Sequence, residues 1–396
     1  MRRSLGLLVV VSLVTGLTAC GTLNPGSNSA SHMQVAAGAW HSLALLSDGS
    51  VWGWGYNADG QVGDGSTTGR DTPVQVHGLP AVVSLAAGGD FESGHSLALA
   101  QDGTVWAWGY NAYGQLGINS TADSYTPVQV PGLSGVVSIA AGLDHSLALT
   151  RGGSVYAWGL NANGQLGDGT TTERDVPVAV SGLSGVVAVS AGGNHYTSPD
   201  YGFSLALTAG GSVYAWGSNA YGQLGDGTTT DRHAPVKVPG LSNVVAVSAA
   251  GAHAMALEGD GSVWVWGRND YGQLGDGTIT DQHAPEKLTS LSGVTMIAAG
   301  AYDGFAVTPD GHVWGWGYGG SGDLGTGTST DSHVPVQVLT IDHPKALSSG
   351  GNYDADQTLA MDAAGNVYAW GLNDYGQVGS GSGSNEPSPV KVLSAP

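Results

Sequence analysis

The chain has 396 residues, of which 67 are glycine and 11% are charged, while 41% are apolar. That balance excludes disorder, which goes with few apolar and many charged residues. A formal net charge of −20 without any basic cluster excludes a nucleic-acid partner and favours a basic protein or a cation.

The first segment stands apart from the rest. "MRR" gives a positive start and "LGLLVVVSLVTGLTA" an apolar run, a pattern that predicts a cleaved secretory signal over residues 1–19. Cys20, the only cysteine, rules out an intrachain disulfide. Its placement in "LTAC" resembles the lipobox of bacterial lipoproteins, which implies a lipid-modified Cys20 and an extracytoplasmic position in a bacterial cell envelope. On that resemblance, membrane contact runs only through the N-terminal lipid. "GTLNPGSNSASHM" completes a lipidated, flexible tether over 20–33.

From residue 34 onwards the chain repeats. Trp54, Trp108, Trp158, Trp216, Trp266, Trp316 and Trp370 each precede glycine, at spacings of 54, 50, 58, 50, 50 and 54. Each copy offers four strands, as in "VVSIAAG", "HSLALT", "SVYAWG" and "VPVAV" of the third. Asp-Gly and Gly-Gly pairs between the second and third strands suit tight hairpins. No stretch sustains a helical period without Gly or Pro. Seven copies of four strands predict an all-β, seven-bladed propeller over 34–396. The final "SPVKV" is expected to pair near residues 34–38 and close the ring with the C-terminal strand.

Eleven of the 12 tryptophans lie in "WxWG" or "YAWG", where large rings fill the wedge between blades. The length variation sits in one type of loop, between "AAG" and the "HSLAL" histidine. Four, eight and four extra residues enter there in copies two, four and seven. Repeat-specific insertions map to one face, commonly the binding face. These loops carry Trp40, Asp90, Phe91, Glu92 and Asp144, then His195, Tyr196, Asp200 and Tyr201, then Tyr302, Asp303, Tyr353 and Asp354. Aromatic anchors among scattered acids predict a protein-binding rim on a monomeric scaffold.

His41, His95, His145 and His253 share one register and are expected to hydrogen-bond their own loops. Blades a seventh of a turn apart do not bring such residues within zinc distances. "GDGTTT" at 167–172 and 225–230 lacks the spaced carboxylates of a strong calcium loop, so no cofactor is expected beyond weak calcium binding. Nucleophile, zinc and phosphate-loop motifs are missing, and the arginines are too dispersed for a sialidase-type site. The sequence predicts no enzyme and no catalytic residues.

Together "AAGxxHSLAL", "DGxVWAWG" and "GQLGDG" resemble the regulator of chromosome condensation repeat family, whose members are seven-bladed propellers. That resemblance implies, as one alternative, guanine-nucleotide exchange on a small GTPase. Seven short "AxAGxxxxxAL…VxAWG" copies also resemble secreted β-lactamase inhibitors, whose aromatic and acidic residues after "AG" contact the enzyme; Trp40, Asp144 and Tyr302 match by position, which implies such contact. A glycan-binding or glycan-processing propeller is a further alternative. The expected function is a lipid-anchored, extracytoplasmic scaffold that binds a protein of unidentified kind.

Overall fold

A computed structural model describes residues 33–90, 93–193, 202–352 and 355–396. These form seven antiparallel sheets of four strands each, arranged in a ring. Blade one contains β1 (Gln34–Ala37), β2 (His41–Leu45), β3 (Val51–Gly55) and β4 (Arg70–Val76), in that order from the axis outwards. Blades two to seven repeat this order over residues 82–129, 136–179, 186–237, 244–288, 296–342 and 346–393. Among the described residues every regular element is a strand.

Register explains why these short stretches form strands. Leu45 pairs with Val51 at the hairpin, and His41 pairs with Gly55 at the opposite end. Side chains alternate across a strand, so "HSLAL" sends His41, Leu43 and Leu45 one way and Ser42 and Ala44 the other. Both sides are buried because each blade is sandwiched between two others. Leu43, Leu45 and Val51 of blade one meet Ala98 and Trp108 of blade two in a single cluster. Seven such clusters occur among the described residues, one per seam. The innermost strands carry Ala36, Ala140 and Ala299, small enough to converge around the axial channel.

Each seam is pinned by one tryptophan. Trp158 Nε1 donates to the carbonyl of Gln115 in the preceding blade at 2.8 Å, and the same carbonyl accepts Ser146 Oγ at 2.8 Å. Equivalent tryptophans donate across the other six seams at 2.9 Å. The acceptor is held by its "GQLG" loop. Asn111 Oδ1 accepts Leu116 N at 2.9 Å, while its amide donates to Ser120 O and Ala122 O, both at 2.8 Å. Gly117, last of that motif, lies against the ring of Trp158 with φ +69°.

Ring closure differs from expectation. The C-terminal strand (Glu386–Leu393) pairs with Val367–Gly371 and forms the outer edge of blade seven, far from the innermost β1. With four consecutive strands in every blade, no strand is left over to cross the closing seam. Trp54 Nε1 and Ser42 Oγ donate instead to Gln377 O, at 2.9 and 2.8 Å, as at any other seam. Met33 packs beside Gly365 in the last hairpin, next to Ala395.

Two glycines separate backbone strain from seam packing. A Cβ on Gly117 would lie 2.7 Å from Trp158 Nε1, whereas one on Gly132 (φ +77°) would meet nothing within 4 Å. Gly132→Ala is expected to destabilise by about 1–2 kcal/mol, the left-handed backbone cost alone. Gly117→Ala adds overpacking and is expected to cost about 2–5 kcal/mol. Thermal unfolding of both variants tests this; equal shifts would show that the tryptophan seam yields to an added methyl.

Candidate interaction face

In an antiparallel four-stranded blade the first and third connections emerge at one end and the hairpin at the other. The insertion loops and the "GQLG" loops therefore share one face. At each seam that face brings together three positions. One comes from the "GQLG" loop of the leading blade; the following blade supplies the residue before the histidine register and the residue after Trp-Gly.

At the seam between blades seven and one all three are aromatic. Trp40 stacks on Tyr375 at 4.2 Å and 14°, and Tyr56 meets both edge-on at 5.8 and 5.5 Å. The seam between blades five and six repeats the arrangement with Tyr271, Tyr302 and Tyr318, whose centroids are 5.1 and 5.2 Å from that of Tyr271. In blade two Tyr110 and Tyr113 form a separate edge-on pair at 6.3 Å. Arg268 extends the second, its guanidinium 4.9 Å from the Tyr221 ring and 5.3 Å from Tyr302. Tyr375 is 37% exposed and Tyr56, Tyr110, Tyr113, Tyr221, Tyr271 and Tyr318 are half-buried. Such amphipathic rings suit a recognition surface.

These tyrosines were not singled out in the sequence. Their signal was nonetheless present, in "YNAYG", "NDYG" and "GYGG", outside the loops whose length varies. The predicted residues fare differently. Trp40, Asp90, Asp144, Tyr302 and Asp303 are buried, at 9, 8, 3, 1 and 0% exposure. Tyr302 and Asp303 are therefore parts of a seam, not exposed anchors, because their register points between blades. Trp40, Asp144 and Tyr302, the positions matched to secreted β-lactamase inhibitors in the sequence, are all among the buried ones. Phe91, Glu92, His195, Tyr196, Asp200, Tyr201, Tyr353, Asp354 and Cys20 lie outside the described residues.

The histidines correct another expectation. Three of the four reach the next blade instead of their own loops: His41, His95 and His145 Nε2 lie 2.9, 3.0 and 2.9 Å from the hydroxyls of Ser96, Ser146 and Ser204, whereas the His253 ring makes no such contact. Burial pushes the three that do down to about 3, so they are neutral latches. Among the described residues no group of three His, Cys, Asp or Glu is placed to hold a metal. Arg70, Arg174 and Arg232 pair with Asp64, Asp168 and Asp226 of their own loops, so the carboxylates of "GDGTTT" are engaged by arginine and threonine.

A family model for an RCC1-like domain matches residues 16–198, and one for the regulator of chromosome condensation (RCC1) repeat matches 210–257, 260–307, 310–353 and 364–396. The chain belongs to the RCC1 repeat family. It is 36% identical to the ultraviolet-B receptor UVR8 of Arabidopsis thaliana over 55% of its own length and 37% of the receptor. It is 33% identical to the human E3 ubiquitin-protein ligase HERC2 over 56% of its length, which is 4% of the ligase. Among solved structures, human WBSCR16 superposes with a TM-score of 0.70 at 27% identity, covering 84% of this chain and 87% of the other. Yeast RCC1 (Prp20), solved bound to Kap60, gives a TM-score of 0.70 at 27% identity, covering 80% and 78%.

One seam of this RCC1-repeat propeller departs from the others. Between blades six and seven, Asp303 replaces the histidine and Asp323 replaces the "GQLG" glutamine, next to Asp356. All three are fully buried or nearly so. Ser349 Oγ donates to Asp303 Oδ1 at 3.0 Å, Tyr302 N to Asp356 Oδ2 at 2.9 Å, and Asp356 N to Asp323 Oδ1 at 3.0 Å. Burial pushes Asp356 up to about 7, and burial with the Asp356 charge beside them holds Asp303 and Asp323 well above the usual carboxylate range. At the seam between blades two and three the corresponding amide is a donor, Gln115 Nε2 reaching Asp144 Oδ1 at 2.9 Å.

Folded-state pKa values above the unfolded value of about 3.9 mean that the folded protein binds the extra protons. Their contribution is complete below about pH 4 and is lost as pH rises through 7. The melting temperature is therefore expected to fall between pH 5 and pH 8. Asp323→Gln, which restores the amide found at Gln61 and Gln115, is expected to flatten that slope and raise the melting temperature at pH 8. An unchanged slope in melts across this range would remove the three carboxyls as its source.

Proposed function

We propose that this chain is an extracytoplasmic, lipid-anchored scaffold that binds a protein partner through its loop face. One observation carries the reading. Half-exposed tyrosines at the seams and all the variable-length loops converge on the same end of the blades. The scaffold residues that hold the seams lie beneath them. Relatives of this fold offer a precedent for protein contacts: yeast Prp20 has been solved with Kap60, and its binding to Gsp1p and histones has been characterised. HERC2 is a ligase, but the region shared with this chain is 4% of it, so no catalytic role is carried over. The lipid anchor rests on the charge, apolar run and Cys20 of the first twenty residues.

Two variants test the two halves separately. Cys20→Ala is expected to move the protein from the membrane fraction to the soluble one and to abolish labelling by a radioactive fatty acid; an unaltered distribution would remove the anchor. Tyr113→Ala with Tyr375→Ala leaves the buried seam bonds intact. A genuine partner, crosslinked in intact cells and identified by mass spectrometry, is expected to be recovered about tenfold less by this variant, a loss of about 1.4 kcal/mol that lies within the range of interface alanine truncations. Equal recovery of every captured protein would overturn the face as a recognition surface.

A further inference from the structure

Position for position, the seam between blades six and seven inverts the one between blades two and three. In the latter, Gln115 donates to Asp144, the residue before the histidine register. Asp356 holds the Asp144 position in blade seven, while Asp323 holds that of Gln115, so an acid replaces the donor. Asp303 joins them from the histidine register of blade six. A Cβ on Gly300 would collide with Asp303 Oδ1, Ser349 Oγ and Asp356 Oδ2 together, so these oxygens crowd one point. Asp303 Oδ2 and Asp356 Oδ1 are buried with no hydrogen-bond partner. Among the described residues no ion pair reaches the three acids. Arg268 lies over the Tyr302 ring and pairs with Asp270. His253 of blade five, whose ring faces the Asp303 backbone, is pushed down to about 4 by burial and is neutral. From blade seven the facing groups are Ser349, Gln357 and Thr358, all uncharged, while Asp354 lies outside the described residues.

We propose that this carboxyl cluster is a pH-operated latch, which holds the two inner strands of blade seven against blade six while it is protonated and releases them as it ionises. The strands are Ala346–Asn352 and Ala355–Met361, paired so that Gly351 lies opposite Asp356. Asp356 is stitched to blade six from both sides. Its carboxyl accepts Tyr302 N at 2.9 Å, and its own N–H donates to Asp323 Oδ1 at 3.0 Å. Three buried carboxyls this close cannot all carry charge without a cation, so the closed seam must keep protons. Opening hydrates the carboxyls and lets them ionise, so rising pH favours the open form. Burial, the largest cause, pushes Asp356 up to about 7. The hold is therefore complete below about pH 4 and is lost as pH rises through 7. The Tyr302 ring belongs to the aromatic trio with Tyr271 and Tyr318, so the latch reaches the loop face. Under the protein-binding reading this makes partner capture stronger in acid, but the latch itself does not rest on that reading.

The test is hydrogen–deuterium exchange of the full chain at about pH 5 and about pH 8, corrected for the chemical exchange rate and read on peptides by mass spectrometry. Opening of residues 346–361 is expected to increase at least about tenfold at the higher pH. Residues 136–150, at the seam where Gln115 faces Asp144, are expected to change less than about twofold. Asp323→Gln recreates the amide donor and is expected to bring the response of 346–361 down to about twofold. Asp303→Asn, which keeps an acceptor for Ser349 Oγ, gives the same test should Asp323→Gln disturb the fold. Equal loosening of both segments would make the effect global and overturn the latch. So would a response of 346–361 that neither substitution alters. Restoration of full protection at about pH 8 by millimolar calcium would make the cluster a metal site and overturn the proton as its operator. Failure of the exchange result while the Tyr113–Tyr375 variant still loses its crosslinked partner overturns this inference alone. The exchange result as expected, with equal recovery by that variant, upholds the latch and overturns the face.

Discussion

The hydrogen bond from a buried tryptophan to the backbone carbonyl of the preceding blade is the constraint on which the rest of the structure depends. A blade of four short strands has two apolar sides and cannot bury either of them alone. The Trp Nε1–H fixes how far each blade slides on its neighbour. The glycine beneath the ring and the asparagine that folds the "GQLG" loop place the carbonyl it needs. Because the acceptor belongs to one blade and the donor to the next, no blade is complete by itself. The core is accordingly a set of seven wedges, which couples the stability of every blade to the two beside it.

Latch and recognition residues come from the same loops at different depths. In "NAYGQLG" the asparagine, glutamine and leucine turn inward and build the seam, while the tyrosine between them turns outward. The surface chemistry can therefore change from blade to blade while the seam stays the same. The seam between blades six and seven is the counter-example. There the change reached the latch itself, and three carboxyls took the place of a histidine, an amide and a neighbour.

The blades, their number and the packing role of the tryptophans were legible in the sequence, because spacing and strand alternation report directly on repeated geometry. The histidine partners were not. A repeat register tells that His41 and His95 are equivalent, but not that each faces a serine about fifty residues onward. The closing seam was misjudged for a related reason: a terminal strand looks unpaired until four strands are assigned to each blade. The connection that varies in length between copies points to Tyr302 and Asp303, which are internal, and not to Tyr56, Tyr110 and Tyr375, which lie outside it. Asp303, Asp323 and Asp356 each looked like a local variation, since their adjacency exists only across a seam.

Met33 and Ala395 meet at Gly365, in the hairpin at the far end of blade seven from the tyrosines. Both ends of the propeller thus leave from its blunt side. Whatever precedes residue 33 attaches the ring by its back, so a surface holding the protein there would touch hairpins while the aromatic face looks outward into the surrounding medium. A fusion at either end should be accommodated for the same reason, since neither crosses the front of the disc.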